Sequence, residues 1–217
     1  MLESSDSGLD RATFERAAAA ARSALESEIA ELKGLLGRLD SQIERSLAPL
    51  LRCQGRVVVT GLGKSGHIGA KISATLSSTG TPSFFLHATE ALHGDSGVLV
   101  KGDVLIAISN SGETVEVCAL AKMVSESGIQ VIAMTGESES TLAKNADVFL
   151  DISISREADP LNLAPTSSTT LTLALGDALA SALMAARNFT AEDFALRHPA
   201  GALGKKLNSS DELSVQA

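Results

Sequence analysis

The stretch VVVTGLGKSGHIGAKI, residues 57–72, decides the fold, and it resembles three phosphate-binding turns at once. A β-branched run breaks at Gly61, Gly63 and Gly66 and passes into a helix-forming segment, the signature of a strand that ends in a glycine turn. Those glycines spell the GxGxxG of a dinucleotide site, and Gly63-Lys64-Ser65 spells the tail of a P-loop. A P-loop needs a further glycine five residues before Gly63, and Val58 stands there. A dinucleotide site needs an acid about 20 residues on, at the end of the next strand. That strand runs out at Leu86-His87, and Glu90 comes too late. What remains is a turn that lets Lys64 and Ser65 reach a small phosphorylated substrate.

Outward from this turn the chain alternates. Residues 56–60, 82–87, 103–109, 129–135 and 146–152 are short β-rich runs without polar alternation, which suits strands buried on both faces of a parallel sheet. HIGAKISATLSST, ETVEVCALAKMVSES and STLAKNA lie between them as helices, so the layering is α/β with helices on both faces. A long apolar helix is expected over 166–187, then another opened by a Thr190–Asp193 capping box. Upstream, apolar residues from Phe14 to Leu50 recur at steps of three and four, one helical stripe that Gly34 and Gly37 divide in two. This is a packing arm for the core or for another subunit, after a disordered tail over residues 1–9.

Composition excludes several function classes. A net charge of −8 argues against nucleic acid. Six Phe with no Trp or Tyr leaves few stacking platforms. Cys53 and Cys118 lack metal-type spacing and read as reduced, buried thiols. The N-terminus is polar and acidic, unlike a signal peptide. Pro165, Gly176, Asp177 and many hydroxyls interrupt the weakly charged run from Leu161 to Ala186, so no membrane span is expected. The protein is expected to be soluble and cytoplasmic.

Ligands of open parallel sheets bind outside the carboxyl ends of the strands. There SNSGET (109–114) closes a strand and opens a helix at Glu113. Ser109, Ser111 and Thr114 can aim hydroxyls at one point, Gly112 admits close approach, and the helix N-terminus favours an anion. Ser65 adjoins this turn, and APTSSTT (164–170) adds the hydroxyls of Ser167, Ser168 and Thr169. A dianionic phosphate fits; a plain Ser-capped helix start is the ordinary alternative.

Together these segments resemble the sugar isomerase (SIS) domain, and within it the arabinose 5-phosphate isomerases. GLGKSGHIGAKI, STGTPSFFLH, HGDSG, AISNSGET, LAPTSSTTLTLALGDALA and FTAEDFALRHPAGALGKKL carry the resemblance, over about residues 56–207. The family's HPGEAxHGDLG reads HATEALHGDSG here, and its HPGGALG reads HPAGALG with Ala200. The resemblance implies a three-layer α-β-α sandwich with a central five-stranded parallel sheet, flavodoxin-like, preceded by N-terminal helices. Residues 1–52 would form the helical arm, 53–208 the SIS domain and 209–217 a short tail, without the CBS pair that many members carry.

The implied reaction interconverts D-ribulose 5-phosphate and D-arabinose 5-phosphate through a cis-enediol(ate), a first step towards the lipopolysaccharide sugar 3-deoxy-D-manno-octulosonate, with no cofactor. Four residues match the family's functional ones. Lys64 would stabilise the enediolate or bind phosphate, and Glu116 is the first functional glutamate. Glu157 is the second and the favoured base, and His198 suits ring opening or proton shuttling. Gly80 and Thr81 match a substrate-contacting turn, and His87 and His93 lie near the substrate. His87 could take a non-essential metal, although no tight ligand spacing is met. The segment around His198 commonly reaches a neighbouring subunit in this family, so a homotetramer with shared active sites is expected. A SIS isomerase for another sugar phosphate and a non-catalytic sugar-phosphate sensor remain the alternatives; the second usually lacks the acids present here.

Overall fold

The computed structural model describes residues 10–199. The expectations for residues 1–9, for Ala200 and the rest of 200–208, and for the tail 209–217 lie outside them. Five strands, β1 (Val57–Gly61), β2 (Ser83–His87), β3 (Val104–Ile108), β4 (Gln130–Thr135) and β5 (Val148–Asp151), form one parallel sheet in the order β2-β1-β3-β4-β5. Each expected strand is present. β1 and β3 are buried along their whole length, which is why their sequences run apolar without alternation. Gly61 stands in register with His87 on one side and Ile108 on the other. The strand order reverses between β1 and β3, so a ligand crevice opens above that pair.

Successive residues of a strand face opposite ways, and the two sets enter different cores. Val57, Val59, Ile106, Ile108 and Met134 meet α3 (Gly63–Ser78) and α7 (Ser167–Ala186) through Ile72, Leu76, Leu171, Leu175 and Leu179. Val58, Leu105, Ala107, Val131 and Ala133 meet α5 (Val115–Glu126) and α6 (Thr141–Lys144) through Val117, Leu120, Val124 and Leu142. A short α4 (Ala88–Leu92) and a 3-10 turn, Asp95–Val98, follow β2 on that second face. The outcome is a three-layer sandwich.

The long apolar run becomes α7, long and apolar enough by composition to cross a membrane. Its apolar residues line the core instead, and a Cβ on Gly176 would come within 2.4 Å of the Ile72 side chain, which therefore packs directly on the backbone of α7. α8 (Ala191–Arg197) starts at the expected capping box of Thr190 and Asp193.

The N-terminal stripe forms α1 (Arg11–Gly37) and α2 (Leu39–Arg52), so α1 ends on Gly37, the second of the two glycines expected to divide it, while Gly34 stays inside the helix. Tertiary bonds fix that position. Arg38 Nη2 donates to the Ser153 carbonyl at 2.6 Å, and Gln42 exchanges two bonds with the backbone of Asp151 at 2.5 and 3.2 Å. Gln42 thereby occupies the open edge of β5, which would otherwise offer unpaired backbone groups. The outer side of α1 exposes Phe14, Leu25, Ile29 and Leu36.

Candidate active site

The β1–α3 turn owes each glycine to backbone geometry. Gly63 takes φ +57°, a left-handed conformation that glycine adopts without strain. A Cβ on Gly61 would lie 3.1 Å from the backbone of Ser65 and Gly66, and one on Gly66 would lie 3.1 Å from the Gly61 carbonyl. The GxGxxG spacing therefore presses helix onto strand, which accounts for Gly61 and Gly66 by packing alone. Leu62, the N-cap of α3, supplies no side-chain cap, which leaves first-turn N–H groups for an anion. Lys64 is exposed there and has no ion pair among the described residues.

The second turn follows β3, the neighbour of β1. Ser109 is 2 % exposed, and its hydroxyl bonds to that of Thr114 at 2.8 Å and accepts the Gly112 N–H at 3.2 Å. Ser111 is exposed and accepts the Glu113 N–H at 3.2 Å. Ser109 and Thr114 thus brace the turn from beneath while Ser111 presents its hydroxyl above. α5 begins at Val115 with Thr114 as N-cap, two residues later than the expected start at Glu113. Glu116, half-buried, lies in its first turn. Gly112 has φ +65°, and a Cβ there would overlap Ser140 at 2.1 Å.

The chain leaves β5 at the sheet edge and returns through 152–166 to α7, which lies against α3. Glu157 is fixed on this return. Its Oε2 accepts the Thr166 N–H at 2.8 Å, the Thr166 hydroxyl at 3.0 Å and the Ser168 N–H at 3.2 Å. Its Oε1 accepts the Ser168 hydroxyl alone. Burial pushes this carboxyl up, but the bonds from Ser168 and Thr166 outweigh it and hold the group below its ordinary range. The carboxylate therefore caps α7 and stays ionised. Asn162, at φ 56°, completes the loop by accepting the Glu157 N–H at 2.7 Å.

This arrangement revises the third hydroxyl cluster. Ser168 serves Glu157, Thr169 donates to the Thr166 carbonyl at 2.9 Å, and the Ser167 hydroxyl is fully buried without a partner. Ser168 and Thr169 are thus engaged within the chain, and Ser167 alone of the three has no hydroxyl bond among the described residues. Sequence reasoning missed Thr166 and Asn162; a threonine before a helix start, nine residues after a loop acid, was the available signal.

His87 ends β2 beside the β1 turn, with Nδ1 buried and without a partner among the described residues. His93 is the exposed C-cap of α4. No group of three His, Cys, Asp or Glu side chains gathers as a metal set among the described residues.

Two expected site elements lie at the other end of the sheet. Gly80 and Thr81 precede β2, at its amino end. A Cβ on Gly80 would strike the Phe189 ring at 2.7 Å, and Arg187 bonds to the Thr81 hydroxyl and to the Leu50 carbonyl at 3.2 Å. α7 spans about 30 Å from Ser167 to Ala186, so Phe189 and α8 sit far from its N-terminus. The Arg197 guanidinium lies 5.1 Å over the Phe189 ring, which keeps the end of α8 there. His198 stacks on Phe194 at 3.9 Å and shares a bond of 2.9 Å between Nδ1 and the Phe194 carbonyl. A carbonyl only accepts, so Nδ1 carries the hydrogen and Nε2 is left as a base. Within one chain, His198, Gly80 and Thr81 do not join Lys64, the 109–114 turn and Glu157.

The SIS domain family matches residues 50–182. An arabinose 5-phosphate isomerase (KdsD) of Pseudomonas aeruginosa is 60% identical over 173 residues, which are 80% of this chain and 53% of that protein. An arabinose 5-phosphate isomerase (KpsF) of Escherichia coli is 51% identical over 187 residues, 86% of this chain and 59% of that protein. The chain thus spans about half the length of the curated relatives it matches. An Escherichia coli CFT073 protein solved in complex with arabinose 5-phosphate superposes with a TM-score of 0.82 at 40% identity, over 88% of this chain and 100% of that one. A Listeria monocytogenes protein described as a putative sugar-phosphate isomerase gives 0.79 at 31% identity, again over 88% and 100%.

Proposed function

Because the chain belongs to the SIS domain family, we propose that it is an aldose–ketose isomerase interconverting D-ribulose 5-phosphate and D-arabinose 5-phosphate. The observation that carries this reading is the pair of turns 63–65 and 109–114, side by side above the reversal of strand order, with an ionised Glu157 held at the start of α7. The named relatives and the neighbour solved with arabinose 5-phosphate bound support the choice of sugar.

The substrate phosphate lies on Ser111 and the free N–H groups of both turns, where helix dipoles favour the dianion. Lys64 reaches the carbonyl oxygen and stabilises the enediolate as charge develops, a contribution of a few kcal/mol for such donors. Glu157 moves the proton between C1 and C2 through Oε1, the oxygen left with a single partner. Its hydrogen bonds weaken it as a base, so Lys64 must increase the acidity of the carbon in compensation. Glu116 completes the acidic pair. His198 acts on the cyclic aldose through Nε2, in the site of a neighbouring subunit. The distance along α7 and the exposed stripe of α1 support a homotetramer with shared sites. No step needs a cofactor, and His87 and His93 flank the sugar. The product would feed synthesis of 3-deoxy-D-manno-octulosonate.

Incubation with ribulose 5-phosphate, followed by NMR, tests the reading. Arabinose 5-phosphate should accumulate to a fixed ratio from either side. Turnover of hexulose 6-phosphates in its place would move the chain to another isomerase class, and binding without turnover would make it a sensor.

A further inference from the structure

An acid inside an anion-binding turn is a contradiction that this fold resolves. Glu113 stands between Gly112 and Thr114, yet its Oε1 accepts the Thr141 N–H at 2.7 Å, 28 positions along the chain, at the first residue of α6. The same bond, chiefly, draws its carboxyl below the ordinary range. Other bonds clasp the turn from α6, from the end of β4 and from α5. The Gly112 carbonyl accepts the Leu142 N–H at 3.0 Å and the Cys118 thiol at 3.2 Å. The Asn110 carbonyl accepts the Gly136 N–H at 2.9 Å and the Thr135 hydroxyl at 3.2 Å. The turn is thus held from β4, α6 and α5, and none of these bonds comes from β1 or its turn.

We propose that Glu113 is a positioning residue for anion recognition: tied to Thr141, its carboxylate sets the shape of the 109–114 turn and keeps its own charge off the bound phosphate. Glu113 does not touch substrate; it acts through the backbone of Ser111 and Gly112. The inference rests on reading this turn as the phosphate anchor, and the experiment separates the two.

The bond can be cut from either end. Glu113→Ala removes the acceptor. Thr141→Pro removes the donor, the N–H together with the Thr141 hydroxyl beside the same carboxylate, and it is tolerated because proline suits the first helical position and Ser140 before it is already extended at ψ 161°. Glu113→Gln keeps a carbonyl oxygen for Thr141. Ser111→Ala serves as the control for the anchor itself. Inorganic phosphate titrated by calorimetry gives the affinity, steady-state kinetics with ribulose 5-phosphate separate KM from kcat, and thermal midpoints report folding. Glu113→Ala and Thr141→Pro should each weaken phosphate binding and raise KM by about tenfold, with kcat within about twofold. Glu113→Gln should stay within about threefold of the parent in both, and the double variant should be no worse than the worse single one. Full phosphate affinity in Glu113→Ala, with affinity lost in Ser111→Ala, would overturn the inference and leave the anchor standing. So would a Gln variant as weak as the Ala variant, or single effects that multiply in the double. Full affinity in Ser111→Ala as well would remove the anchor, and the inference with it.

Discussion

Glu157→Gln separates two roles that the structure assigns to one carboxylate. As a cap, Glu157 accepts three bonds at Oε2 and one at Oε1. Glutamine retains a carbonyl oxygen for the three, and its amide can donate to the Ser168 hydroxyl, so the geometry survives and only the charge is lost. Bonds to a charged group contribute about 1.5–3 kcal/mol against about 1 for neutral ones; with the group half-exposed, the loss in stability should stay near 1–2 kcal/mol. As a base, the amide cannot take a proton from carbon, and turnover should fall about 100- to 10,000-fold. KM should change little because the phosphate turns are untouched. The pH dependence adds a second check. Hydrogen bonds hold the folded carboxyl below its ordinary value of 4.5, so its stabilisation is present above that value and lost as pH falls through the folded one. Thermal midpoints of the parent and of Glu157→Gln should therefore differ at neutral pH and converge on acidification. Converging midpoints with near-normal turnover would show Glu157 to be a cap only and pass the base to Glu116 or His198.

Gly112→Ala should destabilise the fold by about 1–3 kcal/mol for a left-handed residue and by a further 1–3 or so for the overlap with Ser140; a thermal midpoint within a degree of the parent would contradict the positions of the turn and α6. Lys64→Ala and His198→Asn, each inactive alone, should regain part of the activity when co-expressed, because a hybrid assembly contains sites with both residues intact; no recovery despite mixed oligomers would place His198 in its own chain's site. Dialysis against a chelator should leave turnover unchanged, and loss reversed by zinc would put His87 at the centre of the chemistry.

Much of the fold was legible in the sequence because parallel strands buried on both faces run apolar with few interruptions, such as Thr60 and Thr135. Val57, Val59, Ile106 and Ile108 announce β1 and β3 without ambiguity. The end of α1 at Gly37 was legible from its glycine, but the bonds from Arg38 and Gln42 to Ser153 and Asp151, more than a hundred positions away, were not. The start of α5 was misplaced for the same reason: Glu113 resembles a helix-opening acid, and its partner is Thr141. In the site, the two glycine turns were readable from spacing. The bonds made by Ser168 and Thr169 were not, because hydroxyls that brace a helix start and hydroxyls that hold a phosphate look alike in sequence. The location of His198 was available from topology alone. Every strand here ends at the upper edge, so a segment following α7 must begin at the lower one.

The central claim is that these turns support proton transfer at carbon on a five-carbon sugar phosphate. Incubation with ribulose 5-phosphate in deuterated water, read by NMR, tests it most directly. Arabinose 5-phosphate should carry deuterium at C2, with the label lost in Glu157→Gln. Arabinose 5-phosphate formed with protium at C2 throughout would contradict an enediolate whose base exchanges with solvent, and no arabinose 5-phosphate at all would contradict the function.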